Sequence, residues 1–288
     1  MLIPEGLKWL EATEEGRAWL ARLPGIVHEC AEMWSLRLGE PFADAFASLA
    51  LPARRSDGER AVLKIQFPDR ESTHEALALE RWGGNGAVRL LEQDLDRRAL
   101  LLERAEPGVP LSTLDPGDAL GVVIGLLPRL WVDAGEPFRP LAAEAAELAQ
   151  EITTDWERSG RSVDRRLVDA ALEAFDHLSR TQGEQVLVNQ DLHADNVISA
   201  RREPWLVIDP KPLTGEREFG VVAIVRGSEL GHSRRAVIGR LDRVSDELGL
   251  DRERVRLWTM AHTMSWGFDE KGSMPEHVET AMWLLDAE

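Results

Sequence analysis

Hydrophobic and polar positions along this 288-residue chain change period several times. Over residues 5–22, Leu7, Leu10, Trp19 and Leu20 recur among charges, which predicts an amphipathic helix. From residue 33 to 67 the pattern shortens. WSLRLGEPF, FASLALPAR and RAVLKIQF are apolar or alternating runs, and GEPFAD and RSDGER punctuate them as turns. Residues 71–82 return to helical spacing, with Glu75, Leu79 and Trp82 on one face, and the glycines of GGNG at 83–86 end that helix. AVRLLEQD and RALLLERA then supply two more strands. The first hundred residues thus predict a small antiparallel sheet in the order β-β-β-α-β-β.

Past EPGVP at 106–110, residues 116–131, 138–158 and 165–181 carry the pattern of three helices. Strand-like runs follow at 185–188, 197–199 and 205–208, and helical pattern resumes from Glu229. The boundary falls near residues 103–110, giving an N-terminal region 1–104 with a leading helix and a mainly helical region 105–288. No repeat or long linker interrupts either. The fold class predicted is α+β.

Composition narrows the function classes. Apolar residues make up 43% and charged residues 30%, an ordinary balance for a globular protein. The formal net charge of −17 disfavours general binding to nucleic acid phosphates. A single cysteine, Cys30, rules out an intrachain disulfide and a cysteine-rich metal site. The acidic, amphipathic N-terminus is not patterned as a signal peptide, and the apolar run 119–128 is too short to cross a bilayer. A cytoplasmic protein is expected.

The candidate chemistry lies between Asp191 and Lys211. Asn196 precedes the first strand of a short hairpin and Asp209 follows the second, so the open end of the hairpin should bring them together, with Asp191 close by. Two carboxylates and an amide oxygen form a hard-oxygen set suited to Mg²⁺ bound jointly with phosphates. The protein-kinase catalytic loop has the same Asp-to-Asn spacing and a second metal-binding Asp downstream. On that pattern Asp191 is the base that accepts a hydroxyl proton, and Asn196 and Asp209 hold the metal.

Lys64, in the strand AVLKIQF, would pair with nucleotide phosphates and with a helix glutamate: Glu75, or failing that Glu80. Taken alone, Lys64 reads as a lysine on the solvent face of an edge strand; the Asp-Asn-Asp set in the right order favours the functional reading. Two alternatives stand beside a kinase. Asp191, His193 and Asp209 could bind a transition metal in a hydrolase or oxygenase. A non-catalytic binding module could retain the fold without turnover.

The stretch VNQDLHADNVISARREPWLVIDPKPLTGE resembles the aminoglycoside phosphotransferase family, within it the streptomycin kinase and hydroxyurea kinase branch. VLKI, HEALALERWGGNGAVRLLE and LLLERAEPG are similar to that branch's N-terminal lobe. The resemblance spans roughly residues 30–230. It implies a two-lobed, protein-kinase-like fold with a five-stranded N-lobe and a helical C-lobe holding the acceptor. It also implies ATP and Mg²⁺ as cofactors, a hinge at Glu103, Arg104 and Ala105 against adenine, and a nucleotide-covering turn at 39–45. The acceptor implied is a hydroxyl on a small, cationic molecule such as an aminocyclitol antibiotic, with hydroxyurea or a metabolic amino sugar as alternatives. Asp269 and Glu270 are candidate acidic contacts to it. The expected partners are thus the acceptor and a nucleoside triphosphate, with no nucleic acid or membrane, for a monomer or a dimer. One departure stands out. Where the family has His-Gly before the catalytic Asp, this chain has Asn189-Gln190, and Asn189 can donate and accept hydrogen bonds in place of the histidine.

Overall fold

The structure is a computed structural model that describes residues 3–43, 46–269 and 272–287. The chain divides into two compact units, Met1–Gly108 with Ala200–Arg202, and Val109–Ser199 with Glu203–Glu288.

In the first unit a 3₁₀ segment, Glu5–Ala12, precedes helix α1, Glu14–Met33. The single long helix expected over 5–22 is broken because Thr13 adopts extended backbone and caps α1, its side chain accepting from Gly16 N. Gly16 is required there: a Cβ would lie 2.0 Å from the Leu10 carbonyl oxygen. Strands β1 (Arg37–Leu38), β2 (Ser48–Arg54), β3 (Arg60–Gln66), β4 (Leu90–Asp94) and β5 (Ala99–Glu103) form one antiparallel sheet in the order β1-β2-β3-β5-β4. Helix α2, Glu75–Trp82, joins β3 to β4 and ends on Gly83 in the left-handed region (φ +56).

Strand period sorts β3 into two faces. Ala61, Leu63 and Ile65 join a core built with Leu20, Leu23 and Val27 of α1. Lys64 and Gln66 therefore lie on the opposite face.

The second unit contains helices α3 (Pro116–Leu130), α4 (Leu141–Arg158) and α5 (Arg165–Arg180), near the bounds their periodicity predicts. Then come β6 (Gln185–Asn189), β7 (Val197–Ser199), β8 (Trp205–Val207) and β9 (Pro212–Glu216). Helices α6 (Val222–Arg226), α7 (Arg234–Leu248), α8 (Arg252–Ser265) and α9 (Pro275–Leu285) follow, with a small hairpin, β10 (Phe268–Asp269) and β11 (Gly272–Ser273), before α9. Phe175, Phe219 and Trp258 form an aromatic centre, with Phe219 and Trp258 edge-to-face at 5.2 Å. Glu216, at the end of β9, is buried and satisfied by Arg254, by Trp258 and by the Gly183 amide, which fixes β9 against α8. Among the described residues, no helix is long and apolar enough to cross a membrane.

Candidate active site

Two nested ladders frame the candidate catalytic loop. The outer one pairs β6 with β9, closing at Asn189 opposite Pro212; the inner one pairs β7 with β8, from Val197 opposite Val207. Residues 190–196 and 208–211 must then run alongside one another between the ladders. Two backbone bonds tie them: Gln190 N to Lys211 O (3.1 Å) and Ile208 N to Asn196 O (2.9 Å). The local topology therefore gathers Asp191, Asn196, Asp209 and Lys211. The strand β9, absent from the sequence reading, supplies the outer closure; its sequence PLTGE has too little apolar pattern to announce it.

Asn189 fixes the entrance. Its Oδ1 accepts from Asp191 N (3.0 Å) and from Lys211 N (2.9 Å), so it clasps both sides of the loop. These two donors also fix which way the amide points, because a flipped NH₂ would face two N–H groups. An asparagine side chain thus ties the two sides of the loop together.

The Asp191 carboxylate is mostly buried. Lys211 Nζ lies 3.2 Å from Oδ2, and Asn196 Nδ2 lies 3.4 Å from the same oxygen and 3.0 Å from the Asp191 carbonyl. The Asn196 amide nitrogen is thus committed to Asp191, leaving its Oδ1 as a hard acceptor. Asp209 has φ +50, a left-handed conformation that Asp tolerates better than most residues and that is common at functional turns. One carboxylate and one amide oxygen, carried on adjoining segments, fit a Mg²⁺ ion that completes its shell with water and phosphate.

His193 donates its backbone N–H to the Asp191 carbonyl, and its ring Nε2 stands 3.9 Å from Asp191 Oδ1. Among the described residues no three His, Cys, Asp or Glu side chains gather closely enough to bind one ion, so the Asp191–His193–Asp209 centre of a hydrolase is not formed. Ala194 N donates to Glu229, and Ser112 Oγ to Asp195, anchoring the far side of the loop. In α8, burial pushes the His262 imidazole well below its ordinary value, helped by the charges of Arg226, Lys211 and His277. Asp269 is exposed on the β10–β11 hairpin, opposite Gly272, and Glu270 lies outside the described residues.

In the first unit, Lys64 is on a central strand rather than an edge, between β2 and β5. Its Nζ lies 2.7 and 2.6 Å from the two Glu75 oxygens, and Gln66 Nε2 donates to Glu75 Oε2 at 2.7 Å. All three side chains are buried. Gln66 was missed in the sequence, although the period of two places it beside Lys64. Glu80 instead accepts from Gln93 at the surface.

The segment 103–105 is a mixed case. The Glu103 carboxylate takes two bonds from Arg202, at 2.9 Å each, and one from Arg89 N. Burial pushes the Glu103 carboxyl up, but these donors outweigh it and hold the group below its usual range. Arg202, which belongs to the first unit, also donates to the carbonyls of Gly84 and Ala87. No sequence signal marks Arg202, because its partners lie about a hundred residues away. Arg104 stacks over Phe42 at 5.9 Å, and Ala105 follows outside the strand. Of the nucleotide-covering turn 39–45, residues 44 and 45 lie outside the described residues; Gly39 N and Phe42 N bond Pro52 O and Ala50 O.

Known proteins resemble this chain in sequence and in fold. The profile of the aminoglycoside/hydroxyurea antibiotic resistance kinases matches residues 34–270. The chain is 39% identical to streptomycin 6-kinase of Streptomyces griseus over 258 residues, covering 87% of this chain and 84% of that one. It is 41% identical to hydroxyurea phosphotransferase of Kitasatospora aureofaciens over 254 residues, covering 86% and 73%. Its fold is that of the aminoglycoside phosphotransferase APH(4)-Ia, solved with ADP and hygromycin B, at a TM-score of 0.60 over 89% of this chain and 94% of that one, with 13% identity. The fold is therefore protein-kinase-like, and the chain belongs to the aminoglycoside/hydroxyurea antibiotic resistance kinase family.

Proposed function

We propose that this enzyme transfers the γ-phosphoryl group of ATP to a hydroxyl of an aminoglycoside antibiotic of the streptomycin type. The observation that carries the reading is the juxtaposition of Asp191, Asn196 and Asp209 between the two ladders. Asp191 orients the acceptor hydroxyl and takes its proton. Asn196 and Asp209 would hold Mg²⁺, which when bound neutralises charge on the β- and γ-phosphates. Lys64, locked by Glu75 and Gln66, binds the α- and β-phosphates. The backbone of Glu103, Arg104 and Ala105 faces adenine, and the pairing of the Glu103 carboxylate with Arg202 holds that segment in place. The first unit is the nucleotide-binding domain and the second carries the catalytic loop and the acceptor. The enzyme acts in the cytoplasm, as a monomer or a dimer.

Hydroxyurea is the second acceptor to weigh, because identity to the phosphotransferase of that name, 41%, matches that to the streptomycin kinase. ADP release from MgATP, measured with streptomycin, other aminoglycosides, amino sugars and hydroxyurea, tests the assignment. Streptomycin is expected to give the highest kcat/KM and a monophosphorylated product by mass spectrometry. Turnover with hydroxyurea alone would reassign the acceptor, and turnover with none would remove the antibiotic reading.

A further inference from the structure

We propose that Lys211 is a further catalytic residue, its ammonium bridging the Asp191 carboxylate to the γ-phosphoryl group during transfer; this rests on the kinase reading above. The backbone of Lys211 is fixed on both sides, its N–H by Asn189 Oδ1 at 2.9 Å and its carbonyl by Gln190 N at 3.1 Å. Both contacts are part of the clasp that sets Asp191. The side chain then reaches back across the loop, placing Nζ 3.2 Å from Asp191 Oδ2. Both side chains keep a little under a fifth of their surface open, so each stays accessible to a ligand.

The chemistry explains why a cation belongs there. For Asp191 to take the acceptor proton, its carboxylate must stand one hydroxyl away from a phosphoryl group that is itself anionic. Two like charges at that range repel, and a cation touching both offsets the repulsion. A lysine suits this position because an ammonium is a compact charge with three donors, enough to keep Asp191 and reach a phosphoryl oxygen. As transfer proceeds, the bond from the acceptor oxygen to Pγ forms and the bond from Pγ to the bridging oxygen breaks. ADP leaves with that electron pair, and the hydroxyl proton passes to Asp191. Lys211 takes no part in the proton transfer and stabilises the charge on the equatorial oxygens.

Three variants, Lys211→Met, Lys211→Gln and Lys211→Arg, test this with two readouts. The first is calorimetric affinity for AMP-PNP and for ADP, each with Mg²⁺. In Lys211→Met the affinity for AMP-PNP should fall about tenfold, while that for ADP stays within about twofold, because only AMP-PNP presents a γ-phosphoryl group. The second is streptomycin phosphorylation. There kcat should fall about 10²-fold and the KM for streptomycin should change by less than about threefold. Lys211→Arg, which keeps the charge, should recover the wild-type ratio of AMP-PNP to ADP affinity. Lys211→Gln should behave as Lys211→Met and decides the matter if the methionine variant does not fold. A wild-type affinity ratio in the neutral variants would overturn the proposal, as would a kcat within about threefold of wild type. If wild-type protein phosphorylates neither streptomycin nor hydroxyurea, the acceptor reading fails while the nucleotide comparison still decides Lys211. If wild-type protein does not bind AMP-PNP, the kinase reading falls and this proposal with it.

Discussion

At the residue scale, Asp191 and Lys64 make opposite demands on their surroundings. In the proposed base role Asp191 meets an incoming hydroxyl; it is held by its backbone and by Asn196 while part of its carboxylate stays open. Asp191→Asn keeps shape and hydrogen bonding but removes the proton acceptor. Its kcat should fall about 10²–10⁴-fold with little change in MgATP affinity. Steady-state kinetics beside calorimetry check this, and a variant retaining more than about a tenth of wild-type kcat would remove Asp191 from the base role. Lys64 instead sits in a closed cluster whose glutamate is fully buried. Removing one partner strands a buried charge, which typically costs about 3–5 kcal/mol. Lys64→Met should therefore raise the KM for ATP, lower kcat and lower stability, and Glu75→Ala should show a milder kinetic defect. The double variant should lose no more activity than Lys64→Met alone, since a broken pair cannot be broken twice. Additive losses in the four-member cycle would mean that the two side chains act separately.

At the scale of elements, the nested ladders carry the proposed catalytic loop and Asn189 closes them. Its Oδ1 is the acceptor for two backbone donors on opposite sides of the loop. Asn189→Ala leaves both donors without that acceptor, at about 1–3 kcal/mol for each one that stays buried. The variant should unfold at lower urea concentration and lose about tenfold or more in kcat, with MgATP affinity near wild type. Asn189→Asp, which keeps the acceptor oxygen, should lose less stability than the alanine variant. Unfolding curves and kinetics that match wild type in Asn189→Ala would show that the clasp is dispensable. Much of this was legible beforehand. The runs at 197–199 and 205–208 announced the inner hairpin, and hairpin geometry put Asn196 opposite Ile208, one residue before Asp209. The outer ladder was not legible, because PLTGE lacks strand pattern and pairs with β6 only through the intervening chain. The break in the leading helix leaves no mark on the pattern for a local reason: Thr13 and Gly16 act through a cap and a close backbone approach, neither of which changes the apolar spacing.

At the scale of the whole molecule, the net charge of −17 bears on what the enzyme attracts. A polycationic acceptor should be drawn by the summed field, which physiological salt screens over roughly 8 Å. The KM for streptomycin should rise steeply from low to moderate salt at saturating MgATP, and the KM for anionic MgATP should rise less or fall. A flat streptomycin KM across the series would exclude steering by charge and leave the phosphotransferase chemistry in place. The sequence by itself determined the α+β class, helices α3 to α5, the placing of Lys64 on a strand, and the order Asp191, Asn196, Asp209 along the chain. These follow from short-range period and spacing, which local sterics and the pleat enforce. Tertiary structure alone decided that Asn189 clasps the loop and that Lys211 faces Asp191. It also decided that Gln66 completes the Lys64 cluster and that Arg202 takes the Glu103 carboxylate. These contacts depend on which side-chain atoms meet once segments far apart in sequence are packed, and hydrophobic patterning specifies the face a side chain occupies, not the polar partner it finds there.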